Sequence, residues 1–158
     1  MKKIILAMVA VMVPLMLSAG STDFWFRHFS VEDGLSSSAV RAIMQDKYGF
    51  MWLGTDDGLN RYDGTTIKIY RLNPEGVNDY ISFLYDTTDR IWIGTGDGVY
   101  IYDYETENFE PFKLLTAKGD SIKTNVNHIA EDRDGNLWFS TVGQGIFKYN
   151  VSKRYLER

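Results

Sequence analysis

From residue 40 onward the apolar residues fall into short runs separated by Gly-, Asp- and Asn-rich punctuation. Runs of about five residues bounded by turn formers read as strands. No stretch beyond the N-terminus sustains the 3.6-residue period of an amphipathic helix. The pattern predicts strands over 40–46, 51–55, 59–63 and 66–70, then over 80–86, 91–95, 99–103 and 109–112. A third group follows at 126–132, 137–141 and 146–150. Its fourth strand is expected to begin near Arg154, with the chain ending four residues later. The Asp-Gly pairs at Asp57-Gly58 and Asp97-Gly98 are hairpin formers, because both central residues can take positive φ.

The three groups are copies of one unit. Trp52, Trp92 and Trp138 each have an Asp six residues before (Asp46, Asp86, Asp132) and a Thr three residues after (Thr55, Thr95, Thr141). An apolar residue flanks each Trp on both sides. Gly54 and Gly94 follow the first two indoles, with Ser140 in the third copy. Tyr62, Tyr102 and Tyr149 recur in the third strand. The Trp spacings are 40 and 46 residues, in the range of propeller blades and longer than most helical repeats. The fold expected is all-β: a partial β-propeller of three four-stranded antiparallel blades, the last incomplete, in an open ring. Blade 1 spans 40–76, blade 2 spans 77–120 and blade 3 spans 121–158. A blade cannot bury both faces alone, so neighbours must cover them. The three indoles are expected in equivalent places in the layer between blades. Gly54 and Gly94 are expected to admit a neighbouring backbone.

Residues 1–20 have the three parts of a secretory signal peptide: Lys2 and Lys3, an apolar run from Ile4 to Leu17, and small Ser18-Ala19-Gly20. Export to the periplasm is the expectation. Residues 21–39 form an N-terminal strand, Phe24-Trp25-Phe26-Arg27-His28-Phe29, and a lead-in. Without Lys2 and Lys3 the chain carries 15 basic and 21 acidic residues, a formal charge of −6. That balance argues against a nucleic-acid face, which needs clustered Lys and Arg. There is no cysteine, so the core must hold by packing. Aromatic residues make up 15% of the chain, which suits pleated, half-buried surfaces.

The run from Asp46 to Asp63, Asp-x2-Gly-x2-Trp-Leu-Gly-Thr-x-Asp-Gly-Leu-x-Arg-Tyr-Asp, resembles the two-component-regulator propeller repeat. The lead-in from Phe29 to Val40 is similar to the segment before the first such repeat. Copy two departs at Asp89 and Gly96, and copy three at Ser140 and across 143–145, which concerns local turn shape. The resemblance implies the N-terminal part of the periplasmic sensor region of a hybrid two-component histidine kinase of Bacteroidetes type. It implies oligosaccharide ligands for the parent, and a kinase that this chain does not contain.

No nucleophile elbow, phosphate loop or metal-spaced His/Cys set appears, so no catalytic or metal residue and no cofactor is assigned. Asp132-Arg133-Asp134-Gly135-Asn136 reads as a turn, since the acids a calcium loop needs are missing. Ligand residues are not singled out; the candidate loops are 36–38, 73–79 and 114–125. The function expected is a non-catalytic sensor fragment. The alternative is an interaction module that completes its ring by self-association or with the remaining blades of a split sensor.

Overall fold

A computed structural model of the protein describes residues 25–73 and 79–158. The expected signal peptide lies outside the described residues. A short 3-10 turn, Val31–Asp33, precedes twelve strands. Ser30 caps it: Ser30 Oγ accepts from Glu32 N, and Asp33 Oδ2 accepts from Ser30 N at 2.9 Å. The strands are β1 (Val40–Gln45), β2 (Met51–Thr55), β3 (Gly58–Tyr62), β4 (Ile67–Tyr70), β5 (Ile81–Asp86) and β6 (Arg90–Thr95). They continue with β7 (Gly98–Asp103), β8 (Asn108–Pro111), β9 (Val126–Glu131), β10 (Leu137–Thr141), β11 (Gly145–Asn150) and β12 (Tyr155–Glu157).

The strands form three antiparallel sheets with neighbours consecutive in the chain, β1–β4, β5–β8 and β9–β12. The third sheet is therefore four-stranded rather than incomplete. Its last strand is only three residues long, but Leu156 opposite Tyr149 is fully buried and anchors it. Within each sheet the alternation of side chains does the work. In β2, Trp52 and Gly54 face the second sheet, while Met51 and Leu53 face away. In β6, Ile91 and Ile93 face back to the first sheet and Trp92 faces the third. In β10, Leu137 and Phe139 are buried against the second sheet.

The core is consequently two layers, one per seam. The first holds Trp52, Leu59, Ile81, Leu84, Ile91, Ile93 and Tyr102. The second holds Trp92, Val99, Val126, Ile129, Leu137, Phe139, Phe147, Tyr149 and Leu156.

Three further expectations need correction. Residues 25–30 form no strand, and Trp25 and Phe26 are each 93% exposed. A lone strand has no ladder to join, and among the described residues no sheet edge reaches this segment. The Asp-Gly hairpins use positive φ only at Gly58 (109°) and Gly98 (144°), not at the preceding Asp. Finally, the three indoles are not equivalent: Trp52 and Trp92 are 0% and 3% exposed, Trp138 is 39%. Among the described residues no sheet lies against the outer face of the third, so its indole has the right strand position but no cover.

Candidate functional site

The recurring residues divide between turns and seams. Asp46 closes the β1–β2 turn: Oδ1 accepts from Tyr48 N (2.9 Å) and Phe50 N (3.0 Å), and Oδ2 accepts from Trp52 Nε1 at 2.7 Å. Asp132 repeats this, with Asp134 N and Asn136 N on Oδ1 and Trp138 Nε1 on Oδ2 at 2.9 Å. These donors, the Trp138 indole first, hold the Asp132 carboxyl well below the usual carboxylate range. Both turns place a glycine at positive φ, Gly49 at 89° and Gly135 at 78°. The second copy has Asp89 there, and its turn differs. Thr87 N donates to Arg90 O, and Asp86 accepts from Tyr104 Oη at 2.9 Å instead of from an indole. Burial, then the nearby Asp46 charge, pushes the Asp86 carboxyl up against the opposing pull of that hydroxyl.

The threonines lock the other hairpin of each sheet. Thr55, Thr95 and Thr141 Oγ1 donate to Gly58 O, Gly98 O and Gly145 O at 2.9, 3.1 and 2.7 Å. Gly54 and Gly94 sit where sheets touch. A Cβ on Gly54 would stand 2.6 Å from Ile81 Cγ2, so it is a side chain, not a neighbouring backbone, that needs the room. A Cβ on Gly94 would stand 3.1 Å from Val126 O, the backbone approach expected.

The tyrosines complete the indole layer. Trp52 meets Tyr102 of the next sheet with ring centroids 5.1 Å apart, and Trp92 meets Tyr149 at 5.7 Å. Tyr62 has no indole before it. Phe29 of the lead-in takes that place, edge-on at 4.9 Å, and Arg27 Nη1 donates to Tyr62 Oη at 3.3 Å. The lead-in thus covers part of the first sheet's outer face, around an apolar cavity of about 160 Å³. Among the described residues nothing covers the third sheet's outer face. Trp138, Ile146 and Tyr155 are exposed on its side, and Lys148 Nζ lies 5.1 Å from the Trp138 ring centre.

Of the candidate loops, 36–38 is tied into the fold: Ser36 N donates to Asn60 Oδ1 at 2.9 Å. Residues 74–78 lie outside the described residues. The 114–125 loop is pinned by Gln144, which accepts from Lys123 N and donates to Ser121 O. It borders a cavity of about 370 Å³ with Asp97, Gly98 and Tyr100.

Another opening lies at the first seam, beside the β1–β2 turn. This groove of about 330 Å³ is lined by Asp46, Tyr48, Phe50, Arg61, Tyr102, Tyr104 and Glu107. Recurrence could not reveal it, because Tyr48, Phe50, Arg61 and Tyr104 are residues in which the copies differ. Their signal in the sequence is departure from the repeat.

The chain matches the family described as two component regulator propeller over residues 34–57 and 121–143. Over 59 residues, 37% of the chain, it is 56% identical to a histidine kinase of Formosa agariphila, of which that stretch is 4%. Its fold is similar to the extracellular domain of a hybrid two-component system of B. thetaiotaomicron (29% identity, TM-score 0.74), covering 84% of this chain and 20% of that one. A second extracellular domain of the same kind and organism matches at 24% identity and TM-score 0.65, covering 89% of this chain and 21% of that one. The chain therefore spans a small part of the relatives it matches. Three consecutive sheets, with the Asp–Trp–Thr–Tyr repeat at their turns and seams, carry the two stretches that match the two component regulator propeller family, in a fold similar to those extracellular domains.

Proposed function

We propose that this chain is part of an exported, non-catalytic sensor propeller of a two-component system, whose ligand is an oligosaccharide. One observation carries the reading: the recurring residues are spent on turns and seams, as in a scaffold, within the fold of extracellular sensor domains. Signalling then requires a ligand that favours one arrangement of the packed sheets over another. Among the described residues no helix is long and apolar enough to cross a membrane. The test is in-frame deletion of the coding sequence, followed by transcript measurement during growth on single glycans. Loss of induction on at least one glycan is expected. Induction unchanged on every glycan would sink the reading.

A second reading is favoured by the face around Trp138, which no described residue covers. Trp52 and Trp92 show what covers such a face: a sheet offering a third-strand tyrosine and apolar residues on its second strand. Further blades of a split sensor, or a second copy of this chain, supply that chemistry. Sedimentation of the mature protein, alone and with Trp138→Lys, tests it. Concentration-dependent association lost in the variant is expected, and a monomer at all concentrations would exclude self-association.

A further inference from the structure

The two seams end in equivalent grooves with different linings. The groove of the second seam is lined by Thr88, Arg90, Tyr149 and Val151, among others. Counting from the shared Asp and Tyr positions, Thr88 corresponds to Tyr48, Arg90 to Phe50 and Val151 to Tyr104. The strand register pairs Trp52 with Arg61 but Trp92 with Ile101. Packing therefore does not demand these residues, since the second seam is closed without them. At these positions the first groove has three aromatic rings, Tyr48, Phe50 and Tyr104, where the second has none, and its guanidinium stands at Arg61 rather than at Arg90.

These groups are held in place and leave polar functions free. Tyr104 Oη is fixed on Asp86, and Tyr48 lies edge-on to Tyr104 with centroids 5.3 Å apart. Lys47 Nζ covers one side of this pair, 4.4 Å from the Tyr104 centroid. The Arg61 guanidinium lies 4.6 Å over Phe50. Among the described residues Arg61 has no carboxylate partner, and neither the Tyr48 hydroxyl nor the Glu107 carboxylate is engaged in a hydrogen bond. Aromatic surface bordered by an uncommitted donor fork, an acceptor carboxylate and a hydroxyl suits one ligand chemistry well. A sugar ring has an apolar C–H face to lay on an aromatic side chain and adjacent hydroxyls that both donate and accept. The volume is at the lower end for small-ligand sites of about 300–1,000 Å³. The carboxylates of Glu107 and Asp46 balance the charges of Arg61 and Lys47 around the groove, which suits a neutral ligand.

We infer that the groove between the first two sheets, at Tyr48, Phe50, Arg61, Tyr104 and Glu107, binds one ring of a neutral oligosaccharide. The inference rests on the oligosaccharide reading above and adds the place and the charge class. Two variants test it without threatening the fold. Tyr48→Thr installs the residue of the second groove at an exposed position. Glu107→Gly removes the carboxylate at a residue held at φ 53°, where glycine is favoured. Arg154→Gly is the control, since Arg154 has φ 51° in the matching turn of the third sheet.

The mature protein is titrated with cellotriose, laminaritriose, mannotriose, xylotriose and trigalacturonate, followed by saturation-transfer NMR and tyrosine fluorescence. Binding of at least one neutral trisaccharide is expected, weakened about tenfold by Tyr48→Thr and by Glu107→Gly and unchanged by Arg154→Gly. Neutral-sugar binding that ignores both groove variants would overturn the site while leaving the oligosaccharide reading standing. Binding of trigalacturonate alone would overturn the neutral assignment. No binding of any probe would overturn the site and remove the ligand from the proposed function.

Discussion

Trp52 of the first sheet lies against Tyr102 of the second, ring centroids 5.1 Å apart and planes inclined at 53°. The pair joins two sheets that share no ladder, and Trp92 with Tyr149 repeats it one seam on. Truncating a fully buried aromatic costs about 3–5 kcal/mol. Trp52→Ala and Trp92→Ala are expected to destabilise by that amount in urea melts. Trp138→Ala, at a ring 39% exposed whose indole donates to Asp132, is expected to cost less than either, about 1–2 kcal/mol. Equal losses at all three would show that Trp138 is covered in solution.

Gly54 tests the closeness of the first seam. A methyl group there meets Ile81 Cγ2, so Gly54→Ala is an overpacking change worth about 1–3 kcal/mol. Adding Ile81→Ala removes the obstructing methyl. The double variant is expected to be more stable than the sum of the single losses predicts, a coupling that a double-mutant cycle reads directly.

The threonine locks differ in burial, and so should their removal. Thr55 is fully buried, and its hydroxyl meets Gly58 O, Asp57 N and Ser36 Oγ. Thr55→Val strands buried partners and is expected to cost about 1–3 kcal/mol. Thr141 sits in a more open hairpin, where water can replace the hydroxyl, so Thr141→Val is expected to cost less. Thermal melts of the two variants decide it.

Acid separates two of the repeat aspartates by sign. The Asp132 carboxyl is held below its unfolded value by the Trp138 indole and the Asn136 amide. Its stabilisation is full above about pH 4, the unfolded range, and is lost as pH falls toward the lower folded value. Asp86 is raised by burial, so its ionised form disfavours the fold, and that penalty is relieved as pH falls through the raised value. Urea melts from neutral to about pH 2 should show Asp132→Asn losing less stability in acid than the parent. Asp86→Asn should be stabilised at neutral pH relative to the parent, with the difference shrinking as the medium is acidified. The same sign for both would contradict the two environments.

The repeat made the architecture legible. Strand positions, sheet order and the Trp-bearing second strand follow from period-two alternation between turn residues, which is local chemistry that each copy states again. Recurrence also pointed to Asp46 and Thr55, though not to the bonds they make. The groove at Tyr48, Phe50, Arg61 and Tyr104 was not legible in the same way, because its residues come from two copies and depart from the repeat.

The order of apolar and turn residues by itself determined three antiparallel four-stranded units. Only tertiary packing decided which aromatic meets which, that Phe29 covers Tyr62, and that Trp138 stays exposed. A strand's pattern specifies which of its faces is apolar, but burial is a property of two surfaces, and the second one belongs to another sheet.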